Sequence, residues 1–297
     1  MILPLLLAKK KIPVPAEFGS EVFMQMPKAP QIAVIVSSYQ RSRYLRRSLL
    51  SIAHQHDVAG QMEVVVADDG STDETEQVVQ TFADSAPFPV YFTSHRHEGF
   101  QLARSRNEGV RASRAPYLLF VDGDCILPPD HVAIHLRCRQ RGVVMAGDCI
   151  RLDKEMSDAI VDETIRRGDF VQMGSPVEHD RLRTKAFRAK IYSLLRIPMR
   201  PRLTGNNIGI WREDLERVNG FDEKFVGWGL EDRDLQFRLS RTGFRCRSIL
   251  SSTMAFHLWH EPHPTCRRNG EGTENLKYYQ RKGRPAFCCN GLTKREP

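Results

Sequence analysis

The feature that most constrains this chain is an alternation, between residues 31 and 121, of short continuous apolar runs with segments of helical period. The runs are IAVIVSS (32–38), MEVVVA (62–67), a weaker VYFT (90–93) and YLLFV (117–121). Each has strand length and no apolar–polar alternation, as expected of a strand covered on both faces. Between them, Leu45, Leu49 and Ile52 recur at helical spacing over 44–54, and helices are predicted over 75–82 and 101–112. Strands and helices taking turns at this pace imply an α/β chain with a parallel sheet covered by helices on both faces.

Composition supports a packed core: 297 residues, 41% apolar and 27% charged, with 20 Gly and 17 Pro, fit neither a disordered chain nor a collagen-like rod. The length allows one large domain or two that share a cleft. The period becomes irregular from about residue 147, with helical stretches near 157–167 and 185–195, then TGNNIGIW (204–211) and a helix over 212–218. A Gly-rich aromatic loop runs into a helix over 220–239, and TMAFHLWH (253–260) reads as a late strand. This second half is read as completing a single domain around the first half's cleft. The expected divisions are an N-terminal extension (1–30), a first half (31–147), a second half (148–265) and a C-terminal tail (266–297).

Lys and Arg total 44 against 36 acidic residues, a formal charge of +8, which favours anionic partners. Charge is the sole argument for nucleic acid, since no binding motif accompanies it, and no nucleic-acid partner is expected. Eight basic and no acidic residues lie in 181–202, where Phe187, Ile191, Leu194 and Leu195 recur at helical spacing. This stretch is either an ordinary amphipathic helix with a solvated basic face or a segment lying on a membrane surface. Seven cysteines without a CxxC pair argue against a disulfide framework or structural zinc. The apolar run 2–8 is shorter than the ~20 residues of a spanning helix and is followed, instead of preceded, by lysines. The expectation is a cytoplasmic protein, with peripheral contact at the inner membrane face left open.

In open parallel sheets, ligands gather at the carboxyl ends of the strands. Three polar clusters fall there: Ser37-Ser38-Tyr39, Asp68-Asp69-Gly70-Ser71 and Asp122-Gly123-Asp124. No GxGxxG or GxxxxGK[ST] opens a helix, so dinucleotide and P-loop readings lack support. Asp122 and Asp124, flanking a glycine past a buried strand, suit Mg²⁺ or Mn²⁺ bridging a diphosphate; alternatively Asp-Gly supplies only turn geometry. The Asp68-Asp69 carboxylates could accept hydrogen bonds from a base or ribose, while Ser71 or Asp73 could cap the next helix. Arg104 and Arg106 could neutralise phosphate, although alone they read as a solvated helix face. Glu231, Asp232 and Asp234 would complement a helix dipole, yet VGWG before them offers Trp228 as a flat plate for a sugar ring and a carboxylate beside it to take a hydroxyl proton. His257 and His260 would point to opposite faces of a strand, so one of them is expected in the cleft, where an imidazole ligand favours Mn²⁺ over Mg²⁺.

Together VIVSSYQR, VVADDGSTDET, LARSRNEGVRAS and LLFVDGDC resemble, in order and spacing, the family 2 glycosyltransferases of GT-A fold, over about residues 31–130. The later NGFDEKFVGWGLEDRDLQFRL resembles the acceptor-side segment of β-1,4-galactosyltransferases and chondroitin-polymerase-type domains. The resemblance implies a single α/β domain of GT-A fold, with a Rossmann-like, mostly parallel central sheet, helices on both faces, a nucleotide-sugar half and an acceptor half. It implies nucleotide-sugar contacts from Ser37, Tyr39, Arg41, Asp68, Asp69, Arg104, Arg106, Asp122 and Gly123, with Asp69 at the base. Asp124 and His257, with Asp122 nearby, would hold Mn²⁺ (or Mg²⁺). Asp232, beside Glu231, would be the catalytic base, and Trp228, Gly229 and Asn206 would meet the acceptor. The implied activity is inverting, metal-dependent transfer of a hexosyl unit from a nucleoside-diphosphate sugar, UDP-sugar first, to a glycan or lipid-linked acceptor in bacterial lipopolysaccharide or polysaccharide synthesis. Two rivals are a catalytically silent nucleotide-sugar or glycan-binding module and a sugar nucleotidyltransferase; the first leaves the DGD, ED and His257 set without purpose, the second leaves GWGLED unexplained.

Overall fold

The computed structural model describes residues 29–261 and 273–294. In chain order the first half runs β1 (Ile32–Ser38), α1 (Ser42–Ala53), β2 (Met62–Asp68), α2 (Thr75–Ser85), β3 (Val90–Ser94), α3 (Leu102–Ala112), β4 (Tyr117–Asp122), β5 (Cys125–Ile126), α4 (His131–Cys138) and β6 (Val143–Ala146). There follow β7 (Cys149–Arg151), α5 (Lys154–Ala159), α6 (Asp162–Arg167), α7 (Pro176–Leu194), β8 (Asn207–Trp211), α8 (Arg212–Glu216), α9 (Glu231–Arg241), β9 (Arg245–Ser248), β10 (Ala255–His257) and α10 (Glu274–Gln280).

A seven-stranded sheet has the order β3-β2-β1-β4-β8-β6-β9. The first four strands are parallel, β8 lies antiparallel between β4 and β6, and β6 and β9 are parallel. The continuous apolar runs have a simple cause in the alternation of side chains. Ile32, Val34 and Val36 of β1 enter one core with Leu45, Leu49 and Ile52 of α1 and Val79 of α2. Ala33 and Ile35 enter the opposite core with Ala103 and Val110 of α3 and Leu235 and Leu239 of α9. Each large apolar side chain so buried contributes ~1.5–3 kcal/mol. Close packing of α3 depends on Gly109, where a Cβ would fall 2.6 Å from Ile35 Cγ2.

The register aligns the strand ends: Ser37 pairs with Asp122, and Ser38 with Asp68. A second, three-stranded sheet, β5-β10-β7, carries the continuation of β4 and sets His257 opposite Cys125. All three polar clusters therefore share one edge.

Several boundaries differ from the sequence expectation. The stretch 157–167 forms two helices, α5 and α6, and the late strand contracts to Ala255–His257. Helix α7 starts nine residues before the expected 185, at Pro176 behind a Ser175 cap whose hydroxyl accepts the Glu178 N–H at 3.3 Å. Its apolar stripe is not buried: Phe187 is 65% and Leu194 81% exposed, while Leu182 and Ala189 face inward. The C-terminal stretch read as a tail packs back on the domain in its described part, where the Thr293 N–H bonds Asn219 Oδ1 at 2.8 Å and the Asn275 side chain bonds the Gly229 carbonyl at 3.0 Å. The run 2–8 lies outside the described residues, among which no helix is long and apolar enough to cross a membrane. The six described cysteines are free thiols.

The connection 218–222 is tied to α9 by a buried ion pair. Arg238 Nε lies 2.7 Å from Asp234 Oδ2, and its Nη1 donates to the carbonyls of Val218 at 2.7 Å and Gly220 at 2.8 Å. Replacing Arg238 by Met would leave the buried Asp234 carboxylate with Arg284 Nη1, at 3.5 Å, as its remaining cation and would free two carbonyls. We expect Arg238→Met to lower the unfolding free energy by about 3–5 kcal/mol, read as an earlier midpoint in urea titration. An unchanged midpoint would contradict this account.

Candidate active site

The site begins where β4 ends. The Gly123 N–H donates to the Ser37 carbonyl at 2.8 Å, and a Cβ at 123 would lie 2.8 Å from that same oxygen. Glycine lets the chain pass β1 and turn two aspartates to opposite tasks. Asp124 Oδ2 lies 2.8 Å from Arg41 Nη1 and 3.0 Å from His260 Nε2, while its Oδ1 is 3.5 Å from His257 Nε2. Burial would raise the Asp124 pKa, but the two histidines and Arg41 outweigh it and hold the carboxyl well below its usual range.

One oxygen of Asp124 and one nitrogen from each of His257 and His260 lie within 4.8 Å of one another. The expectation that only one of these histidines faces the cleft is corrected here. Strand β10 ends at His257, so period-two alternation no longer governs His260 and both rings converge. A carboxylate with two imidazoles fits a divalent ion and suits Mn²⁺ better than the oxygen-preferring Mg²⁺.

Asp122 turns the other way, toward Arg106 of α3. Arg106 Nη2 is 3.1 Å from Asp122 Oδ1, and its Nη1 is 3.2 Å from Glu231 Oε1 at the start of α9. The guanidinium is 1% exposed and lies 5.3 Å from the centre of the Phe221 ring. The reading of Arg104 and Arg106 as one solvated face is thus corrected. Residues two apart on a helix project about 200° apart; Arg104 remains partly exposed and bonds Glu108 at 3.1 Å, while Arg106 enters the core. A side chain at Gly205 would collide with this guanidinium.

The Gly205 N–H also donates to Asp232 Oδ2 at 3.2 Å. Burial and the neighbouring Asp232 charge push Glu231 up to about 7, and burial raises Asp232 as well. Burial likewise raises Asp122, against the opposing charge of Arg106. The loop before α9 bends at Gly227 and Gly229, with φ of +84° and +90°, and presents Trp228 exposed at the surface. Asn206 donates to Cys149 Sγ at 3.0 Å, and its Oδ1 is buried without a hydrogen-bond partner.

At the β2 end the two aspartates face inward. Asp68 accepts from the Ser71 N–H and hydroxyl and from Ser94 Oγ at 2.6–2.9 Å. Asp69 accepts from the Gln101 N–H at 2.9 Å and lies 2.8 Å from His95 Nε2. Both are at most 2% exposed, so their carboxylates organise the loop in place of presenting free oxygens. Burial lowers the His95 pKa, but bonds to Asp69 and Glu108 outweigh it and raise it to about 9, so His95 is a cation at neutral pH. The aromatic shelf here is Tyr39 stacked on His97, with ring centres 4.2 Å apart and planes at 10°. Beside it, the buried Ser37 and Ser38 hydroxyls have no hydrogen-bond partner. Sequence reasoning did not single out His95 or His97; their signal was two histidines past a strand end beside the Asp-Asp turn.

Residues 33–192 match the family described as glycosyl transferase family 2, and residues 193–261 match the N-terminal domain of galactosyltransferase. Among curated relatives, validoxylamine A glucosyltransferase of Streptomyces hygroscopicus subsp. jinggangensis is 33% identical over 224 residues, covering 72% of this chain and 52% of that protein. Chondroitin synthase of Escherichia coli is 26% identical over 243 residues, covering 76% of this chain and 34% of that one. The chain thus spans about half or less of the length of these relatives. In fold it is similar to the mannosyltransferase PcManGT from Pyrobaculum calidifontis, solved in complex with GDP-Man and Mn²⁺, with a TM-score of 0.57 at 19% identity over 79% of this chain and 59% of that one. With the family match extending over more than half of the chain, on a mostly parallel sheet of GT-A architecture, the chain belongs to glycosyl transferase family 2.

Proposed function

We propose that this chain transfers a hexosyl unit from a nucleoside-diphosphate sugar to a hydroxyl of a glycan or lipid-linked acceptor, with inversion at the anomeric carbon. The observation that carries the reading is the Asp122–Arg106–Glu231 chain, which couples the strand end expected to meet the donor to the carboxylate pair expected to meet the acceptor. It supports a division of labour between a donor half (31–147) and an acceptor half (148–265). A divalent ion held by Asp124, His257 and His260, Mn²⁺ in preference to Mg²⁺, would supply Lewis-acid neutralisation of the diphosphate.

The rest falls to side chains of the chain itself. Asp232 takes the proton of the acceptor hydroxyl as its oxygen bonds to the anomeric carbon and the bond to the nucleoside diphosphate breaks on the opposite face. The Gly205 N–H fixes the orientation of that carboxylate. Burial raises its pKa, which brings the base closer to the operating pH. Tyr39 and His97 form a flat surface suited to a nucleobase, and Trp228 one suited to a sugar face. A UDP-sugar donor and an acceptor from bacterial lipopolysaccharide or polysaccharide synthesis are the first candidates; the basic surface fits a phosphorylated or lipid-linked acceptor.

The test is release of nucleoside diphosphate from UDP-, GDP- and dTDP-sugars, with Mn²⁺, with Mg²⁺ and with a chelator. Release that depends on the ion is expected, and none from any donor would overturn the proposal in favour of a silent binding module. Asp232→Asn should lower kcat by ~10²–10⁴-fold with donor affinity retained; turnover at the parent rate would remove Asp232 as the base.

The raised carboxyls also set a pH dependence. Burial raises the Asp232 carboxyl, and a base with an elevated pKa is lost sooner on acidification, so kcat should begin to fall at a pH above the ordinary carboxylate range. In Glu231→Gln the acid limb should move to lower pH. A limb that stays in place would detach Glu231 from it.

A further inference from the structure

We propose that the exposed face of α7 and the loop after it form a docking surface for an anionic lipid bilayer. Along the helix, Arg183, Phe187, Lys190, Ile191 and Leu194 succeed one another at steps of four, three, one and three residues, which places them on one face. That face is exposed, as are Leu195 and Ile197 beyond it. A large apolar stripe in water is costly unless something covers it.

Charge selects the occupant. Residues 181–202 hold eight basic and no acidic side chains. Arg181 and Lys185 are spent on Asp148, at 3.2 and 2.5 Å, and Arg183 approaches Asp180 at 3.4 Å on the surface. Arg188, Lys190, Arg196 and Arg202 remain exposed around the apolar stripe. A second copy of the chain would bring this cationic patch against itself, and nucleic acid would leave Phe187, Leu194 and Leu195 in water. An anionic bilayer satisfies both components, with apolar side chains in the acyl boundary and cations at the headgroups. Alongside the helix runs a groove of about 920 Å³ whose wall includes Arg167, Arg183 and Lys190 with the single carboxylate Asp130. It suits a phosphate headgroup with apolar surface beneath.

The loop leaving this face runs into Gly205, whose N–H holds Asp232, so the docking segment is joined along the chain to the candidate acceptor half. This last consequence rests on the glycosyl-transfer proposal; docking itself does not.

The test is flotation of the full chain with vesicles of phosphatidylcholine, alone and mixed with phosphatidylglycerol, at low and high salt. Binding to the mixed vesicles alone is expected, weakened by salt. The pair Arg188→Gln and Lys190→Gln, and separately the pair Phe187→Ser and Leu194→Ser, should each weaken it by about tenfold or more. Nucleoside diphosphate release by both variants should stay at the parent level, which shows a folded chain and reports on the active site independently. No binding by the parent, equal binding by the variants, or a parent dimer that the substitutions dissociate would each overturn the docking surface.

Discussion

A guanidinium almost without access to water, Arg106, bridges Asp122 at the end of β4 and Glu231 at the start of α9, and the site is arranged around it. Removing a cation from water is expensive unless opposite charges and hydrogen bonds replace its hydration. Here two carboxylates do so, and the Phe221 ring covers the planar group. The arrangement requires a helix, a strand end and a second helix more than a hundred residues away to arrive together. It also restrains the carboxylates: burial raises the pKa of both Asp122 and Glu231, and the charge of Arg106 opposes that rise. Gly205, tight against the guanidinium, has no room for a side chain and offers its N–H to Asp232.

The strand edge supplies the other half of the constraint. Parallel pairing of β1 with β2 and β4 in strict register sets Ser37, Ser38, Asp68 and Asp122 side by side. Past that edge the small sheet takes over, and pairing of His257 with Cys125 draws the late segment back to Asp124. The inward Asp68 and Asp69 are the structural counterpart of the Tyr39–His97 shelf: they hold the turn and the loop behind it, and the aromatic pair presents the surface. Gly70, at φ +79°, has His95 and His97 backbone 2.5 Å from where a Cβ would stand, so this approach too requires glycine.

Much of the first half was legible because its signals are local. Strand-length apolar runs separated by helical periods foretold β1 to β4 and α1 to α3 to within a few residues, and with them the edge where polar clusters collect. The second half was less so. Helix α7 begins in a polar segment without an apolar period, and its hydrophobic stripe, which by pattern alone belongs in a core, faces solvent. His260 and His257 were separated by a strand periodicity that stops at His257, three residues short of His260.

By itself the sequence determined the α/β architecture, the placing of the polar clusters at strand ends and the motif set that marks the family, since periodicity and spacing act over a few residues. Tertiary structure decided which members of those motifs are free to act. Of Arg104 and Arg106, equal in chemistry and two positions apart, only the second is buried, where it meets both Asp122 and a second carboxylate, Glu231, 125 residues away. No local pattern encodes a partner at that distance; it exists only once the two halves have packed.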